Sequence, residues 1–428
     1  MTLSFRKDSF CSFYLFVVVV FSVWITPDFV FSGITFPNFI PLLCSFFGFF
    51  FLLDCKLSLR VFRVFVGMVL CVFASIILVP SVVALFSERV TGAVQIVFSI
   101  FVFFVSSEVY KKSNKSLFIS ILSFFWFFLV VMSILEFLGL TNDVVNDVRY
   151  FIYNKSIYES SMRDIIQYGV VRPITLMREP AHLALLLSVL SMVISLSYRK
   201  YGFFLIVISF FVVLYIVRSP LVILMPAAYF SILLFMYEGS RSRKALLFFF
   251  ILIVAVAFII SGMSLFQSRI VNIMDGVDFS AASRLISPPL VTFNVLMDYP
   301  IFGLGPTADS FMYFYVYDVF QNLGFDYQLK VFDEAVISKR VTNYLFLNFI
   351  YFGLLGGFFI ISMLWVYFRF DLSKTASFSV LTVFFIFGFG IGSYVTPTVW
   401  IILFLIFVGV RQYCYSIDEC KKVDVLSV

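Results

Sequence analysis

Charge is scarce in this chain: only 13% of its 428 residues are Asp, Glu, Lys or Arg, and there is a single histidine. The six cysteines form no Cys-x-x-Cys pair, so no metal site of the usual ligand spacing can be built from His and Cys. Neither of the two long polar stretches holds a cysteine, and no disulfide framework is expected. Neither a metal nor a cofactor is expected. Cations outnumber acids by six, 30 against 24, yet they form no basic stripe, which argues against a nucleic-acid partner.

What the chain has in abundance is apolar surface. A hydrophobic share of 62%, with 62 phenylalanines, lies outside the range of soluble domains and predicts a polytopic membrane protein. A hydrocarbon core about 30 Å thick needs roughly 20 apolar residues per helix. Twelve runs qualify: 10–26, 34–53, 61–79, 90–107, 117–140, 180–197, 201–217, 220–237, 245–262, 343–367, 376–394 and 397–413. The first follows Arg6 and Lys7 as a signal peptide would, but no small-residue cleavage site is obvious, so it is read as a retained span.

The expected fold is therefore an all-α polytopic membrane protein of about twelve transmembrane helices, with two long periplasmic loops containing short interfacial helices. It divides into helices one to five (1–140), a first loop (141–179), helices six to nine (180–262), a second loop (263–342), and helices ten to twelve with a cytoplasmic tail (343–428). Lys and Arg in alternate gaps fix the orientation. One side collects eighteen, from Arg6 to Lys422, while the other has only Arg89 and Arg218 outside its long loops. Cations collect on the cytoplasmic side, so both termini are expected there and both loops outside.

Within those two loops, the polar stretches Thr141 to Arg178 and Met263 to Arg340 hold ten of the thirty cations and twelve of the 24 acids. In the first, Ser156 to Tyr168 suits a short helix at the interface. In the second, Ser280 can cap a segment running through Met297, interrupted by Pro288 and Pro289. Asp309 to Phe320 is an aromatic-rich stretch, and Pro300-Ile-Phe-Gly303-Leu-Gly305-Pro306 reads as a turn returning the loop to the membrane. Asp275, Asp278, Asp298 and Asp309 read mostly as solvated carboxylates. No fixed-period repeat and no matching pair of broken helices is visible, which weakens a transporter reading.

The densest chemistry is Arg172-Pro-Ile-Thr-Leu-Met-Arg178-Glu179-Pro180-Ala-His182. Pro180 suits the first helical position with Glu179 at the cap, so a helix should start there with its unpaired amides outward. A helix start carries roughly half a positive charge, and Arg172 and Arg178 beside it can hold either a pyrophosphate or a lipid headgroup. Glu179 and His182 lie one turn apart. Either can accept a proton from a sugar hydroxyl, or Glu179 serves as a cap and His182 as a packed residue. Arg218, in the tight Val217-Arg218-Ser219-Pro220 connection, and Arg269 and Arg284 in the second loop are further phosphate-binding candidates.

These stretches, together with Ser283-Arg284 and Asp298-Tyr-Pro300-Ile-Phe-Gly303-Leu-Gly305, resemble the bacterial O-antigen polymerases (Wzy) within the group that includes the O-antigen ligases. The resemblance spans nearly the whole chain by topology. It implies a metal-independent glycosyltransferase at the outer face of the inner membrane. Oligosaccharide repeat units on undecaprenyl pyrophosphate would be both donor and acceptor, with membrane lipids around the chain and a chain-length regulator protein as a further partner. Arg172, Arg178, Arg218, Arg269 and Arg284 would then stabilise the departing pyrophosphate, and Glu179 or His182 would take the acceptor's proton. The chain departs from the group where some members carry glycine eleven positions after each loop arginine: here Leu183 and Val295 stand. Val217 likewise occupies a position where many relatives carry serine.

Overall fold

In a computed structural model the chain is described over residues 2–26, 28–31, 34–37, 39–53, 58–79, 86–153, 164–165, 168–198, 200–236, 271, 278–325, 329–330, 333–390 and 394–416. It is predominantly helical. Helix α1 (Thr2–Val19) ends in a π-helical turn, Val20–Trp24, and is followed by a small antiparallel hairpin, Asp28–Phe31 with Ile34–Pro37. Then come α2 (Phe39–Leu53), α3 (Leu59–Ile77), α4 (Phe86–Lys112), α5 (Lys115–Phe137), α6 (Asn142–Tyr153), α7 (Pro180–Ser197), α8 (Gly202–Val212) and α9 (Leu224–Met236). The second half adds α10 (Ser287–Asp298), α11 (Asp309–Asn322), α12 (Tyr344–Arg369), α13 (Lys374–Gly388) and α14 (Pro397–Ser416).

Seven of the described helices are long and apolar enough to cross a membrane, and four shorter apolar helices accompany them. All eleven overlap runs picked from hydropathy, although the run 34–53 opens with the strand Ile34–Pro37 and becomes helical only at Phe39. The remaining run, 245–262, lies outside the described residues. The chain is thus a helical, multi-pass membrane protein. Its peripheral helices turn apolar side chains outward, Phe47 on α2, Ile77 on α3 and Phe124 on α5 among them, as lipid-facing surfaces do and water-facing ones do not. At the centre, α7 and α14 are buried along nearly their whole length and pack against each other.

Helix starts follow local rules. The Asn114 side chain accepts from the Leu117 amide (3.0 Å) and the Ser373 hydroxyl from the Ala376 amide (3.2 Å). Pro180 opens α7, where its missing N–H leaves nothing unsatisfied. In the second loop the cap position falls on Asp278, whose carboxylate accepts from the Ala281 amide at 3.0 Å, and Ser280, expected there, lies inside the first helical turn. Pro288 and Pro289 fall in the first turn of α10, directly after the π-helical turn Ala282–Ile286 that breaks the regular helix begun at Phe279, because proline cannot donate the amide a continuous α-helix would need there.

Helix α12 is broken. Gly353 departs from helical geometry (φ 64°, ψ −167°), and the turn from Pro300 to Gly305 docks on the break. The Leu304 and Gly305 amides donate to the carbonyls of Ile350 and Tyr351 (2.8 and 3.0 Å), while the Leu354 and Leu355 amides donate to those of Pro300 and Ile301 (2.8 and 3.2 Å). Backbone groups freed in an apolar surrounding cost several kcal/mol each unless paired, and this turn pairs four of them. The turn does bring its loop back to the bundle, and its glycines are what allow the approach. Gly303 has φ 63°, and a Cβ there would overlap the Ile350 carbonyl oxygen.

Candidate functional site

Both loops converge on one end of the bundle. The approach to α7 is pinned by Glu136 at the end of α5, whose Oε2 accepts from the Thr175 amide (2.6 Å) and the Ile174 amide (3.2 Å), while Oε1 accepts from Arg149 Nη2 (3.0 Å). Burial lowers the Arg149 pKa from its ordinary value, and Glu136 opposes that fall. Tyr153 donates its hydroxyl to the Leu176 carbonyl at 2.8 Å. With the backbone of 174–176 held in this way, Arg178, Glu179 and the start of α7 are delivered to a fixed place.

The second loop is tied to the start of α4. Thr307 Oγ1 donates to the Glu88 carbonyl (2.9 Å) and Ser310 Oγ to Glu88 Oε1 (2.6 Å), so Asp309 and the first turn of α11 sit over Glu88. Lys339 Nζ lies 4.0 Å from Asp309 Oδ2. Burial raises the Asp309 pKa, the Lys339 charge opposes the rise and the Glu88 charge adds to it. A backbone bond from the Thr342 amide to the Ser283 carbonyl (3.2 Å) joins the segment before α12 to the stretch that carries Arg284.

Between these parts lies a cavity of about 1300 Å³. Its polar lining includes Arg178 and His182 from the first loop and α7, Glu88, Thr91 and Gln95 from α4, and Asp309, Ser310 and Tyr313 from α11. Leu185, Leu186 and Ile402 line it among the membrane-spanning helices. The cavity is thus polar where the loops meet and apolar toward the bundle interior.

The residues expected to form the site fall into two groups. His182 is exposed to the cavity, and the charges of Glu179, Arg284 and Arg178 all bear on its ring. Arg178 is exposed, donates from Nη2 to the Thr26 carbonyl (2.9 Å) and lies over the Tyr153 ring. Glu179 occupies the cap position of α7, as expected, but its carboxylate makes no cap hydrogen bond; its charge bears on His182. Arg284, half-buried, stands on the π-helical turn Ala282–Ile286.

The second group is Arg172 and Arg218, neither of which is in the cavity lining. Arg172 is buried, bonded through Nη2 to Asp164 Oδ1 (2.7 Å), with its guanidinium 4.2 Å from the Tyr168 ring centre. Arg218 is held in the left-handed region (φ 50°) and donates from Nη1 to the Tyr168 carbonyl. Tyr168 therefore links the two. Arg269 and Asp275 lie outside the described residues, as does most of the stretch from Ser156 to Tyr168.

Reading the sequence alone missed Glu88, Asp309, Tyr313 and Lys339 as parts of this cavity, and Glu136 with Arg149 as the support of the first loop. One signal was available: Glu88-Arg89 is an isolated charged pair opening an otherwise apolar run, and intramembrane or rim charges of that kind mark functional sites. Of the carboxylates expected to be mostly solvated, Asp278 serves as a cap, Asp298 accepts from the Tyr315 hydroxyl (2.6 Å) at the surface, and Asp309 lines the cavity. Among the described residues no group of three or more His, Cys, Asp or Glu is placed to hold a metal ion. Comparison with family models, with curated proteins and with solved structures finds no match to this chain.

Proposed function

We propose that this protein is a surface-polysaccharide polymerase of the O-antigen type, lodged in a bacterial inner membrane by twelve spans with both termini cytoplasmic. The growing glycan passes from undecaprenyl pyrophosphate to the next lipid-linked repeat unit at the periplasmic face. One observation carries this reading: parts of both long loops meet on a single cavity whose lining includes Arg178 and His182, with Arg284 within electrostatic reach. Acceptor and donor need one shared chamber, and a departing pyrophosphate needs cations in it.

In the reaction, an acceptor hydroxyl oxygen bonds to the anomeric carbon of the donor sugar as the bond from that carbon to the pyrophosphate oxygen breaks. Arg178 and Arg284 offset the charge gathering on the leaving group, an interaction that is strongest in the transition state and so lowers the barrier. The hydroxyl proton passes to Glu179 or His182. Arg172 and Arg218 contribute as positioning residues, because they hold the Tyr168 segment that precedes the site.

Disruption of the gene tests the reading. Cells without the protein are expected to carry a single repeat unit on lipid A core in place of the long ladder. Loss of every O-antigen band, single repeats included, would instead identify a ligase acting on the same donor. An unchanged ladder would contradict both. A lipid-linked oligosaccharide flippase is the reading favoured by the break in α12, since transporters place broken helices at their substrate sites. Here the backbone groups at the break are bonded to Pro300–Gly305, which leaves them unavailable to a substrate and favours transfer over transport.

A further inference from the structure

A pyrophosphate leaving group has no use for carboxylates, yet the cavity is rich in them. Among the described residues its lining carries Glu88, Asp309, Asp333 and Glu334 against the cations Arg178 and Lys339. Two of these acids are built in. Glu88 is fixed by the Ser310 hydroxyl at 2.6 Å, and Asp309 opens α11 beside Lys339. The neighbouring Arg89 is buried and absent from the lining. Ionised carboxylates can only accept hydrogen bonds, so the ligand that satisfies them must present donors, as hydroxyl and ammonium groups do.

Two further features describe that ligand. The volume, about 1300 Å³, exceeds the roughly 300–1,000 Å³ of ordinary small-molecule sites, which leaves room for several linked rings. Trp24, Tyr313 and Tyr351 add aromatic surface to the same lining, and aromatic side chains join an apolar body to a polar tip, a combination that suits the mixed faces of a pyranose. A ligand carrying its own carboxylates would meet like charges in a partly desolvated chamber, a mismatch that excludes wrong partners.

We infer that the Glu88 and Asp309 side of the cavity binds the saccharide portion of the substrate and selects it by charge, admitting neutral and amino-sugar oligosaccharides and rejecting those built from uronic or other carboxylated sugars. The inference rests on the saccharide-transfer reading above and adds the class of sugar. It is tested by titrating the full-length protein in lipid nanodiscs, at low ionic strength, with tetramers of glucosamine, N-acetylglucosamine and galacturonic acid.

The glucosamine tetramer should bind at least about tenfold tighter than the galacturonate tetramer, a gap of roughly 1.4 kcal/mol. Joint substitution of Glu88→Gln and Asp309→Asn should close most of that gap while leaving the N-acetylglucosamine tetramer bound, which also reports that the variant is folded. Equal binding of all three tetramers, or an undiminished gap in the double variant, overturns the charge selection alone. Binding of none of them overturns the saccharide reading as well.

Discussion

Arg172 and Arg178 stand in the same short segment and differ in everything that decides the effect of removing them. Arg172 is buried with Asp164, whose side chain is fully enclosed. Its replacement by alanine removes the cation from a buried carboxylate, and breaking a buried pair in this way costs about 3–5 kcal/mol. Arg178 is exposed at the cavity and donates to a backbone carbonyl rather than to a buried charge, so its loss should cost about 1 kcal/mol or less. Denaturant unfolding of the two purified variants, with a polymer gel of cells carrying each, separates structure from function. Arg172→Ala should unfold early; Arg178→Ala should unfold with the wild type and make little polymer. Normal polymer in Arg178→Ala would remove that arginine from the leaving-group site. Both residues look alike in sequence, because nothing local in the chain says that Asp164 will cover one and leave the other open.

Helix α12 shows how an element can be recognised and still be misread. Its apolar run marked a helix, and a helix is present, but the break at Gly353 could not be seen: glycine is common in membrane helices, and the pairing that permits the break comes from residues some fifty positions earlier. The Pro300–Gly305 turn was legible as a turn for the opposite reason, since its prolines and glycines act locally. The two features stabilise one another, and their glycines are the test. Gly353→Ala places a side chain at φ 64° and against the Ile301 carbonyl carbon, and should destabilise by about 3 kcal/mol or more, combining backbone strain with a clash. Gly169→Ala meets similar strain (φ 73°) with no atom within 4 Å and should cost only about 1–2 kcal/mol. Equal unfolding midpoints for the two variants would mean that the turn does not dock on the break.

At the scale of the whole molecule, hydropathy placed eleven helices because burial in lipid demands long apolar runs whatever their neighbours. The lining of the cavity was only half legible. Arg178 and His182 sit at a helix start, a feature written in the chain by Pro180, whereas Glu88 and Asp309 meet through contacts between distant segments that no local pattern encodes. The charges at the other end of the bundle form a separate cluster, in which Lys111 bridges Glu108 and Asp371, with Arg411 3.8 Å from Asp371. That cluster ties α4 and α14 to the turn that follows α12, and its cations offer a second place for an anionic headgroup. The decisive measurement is a cryo-electron microscopy map of the protein in nanodiscs loaded with undecaprenyl pyrophosphate. Diphosphate density within hydrogen-bonding distance of Arg178, facing His182 and Arg284, is the predicted result; diphosphate density confined to the Arg411 end, or a cavity left without it at saturating lipid, would contradict the account.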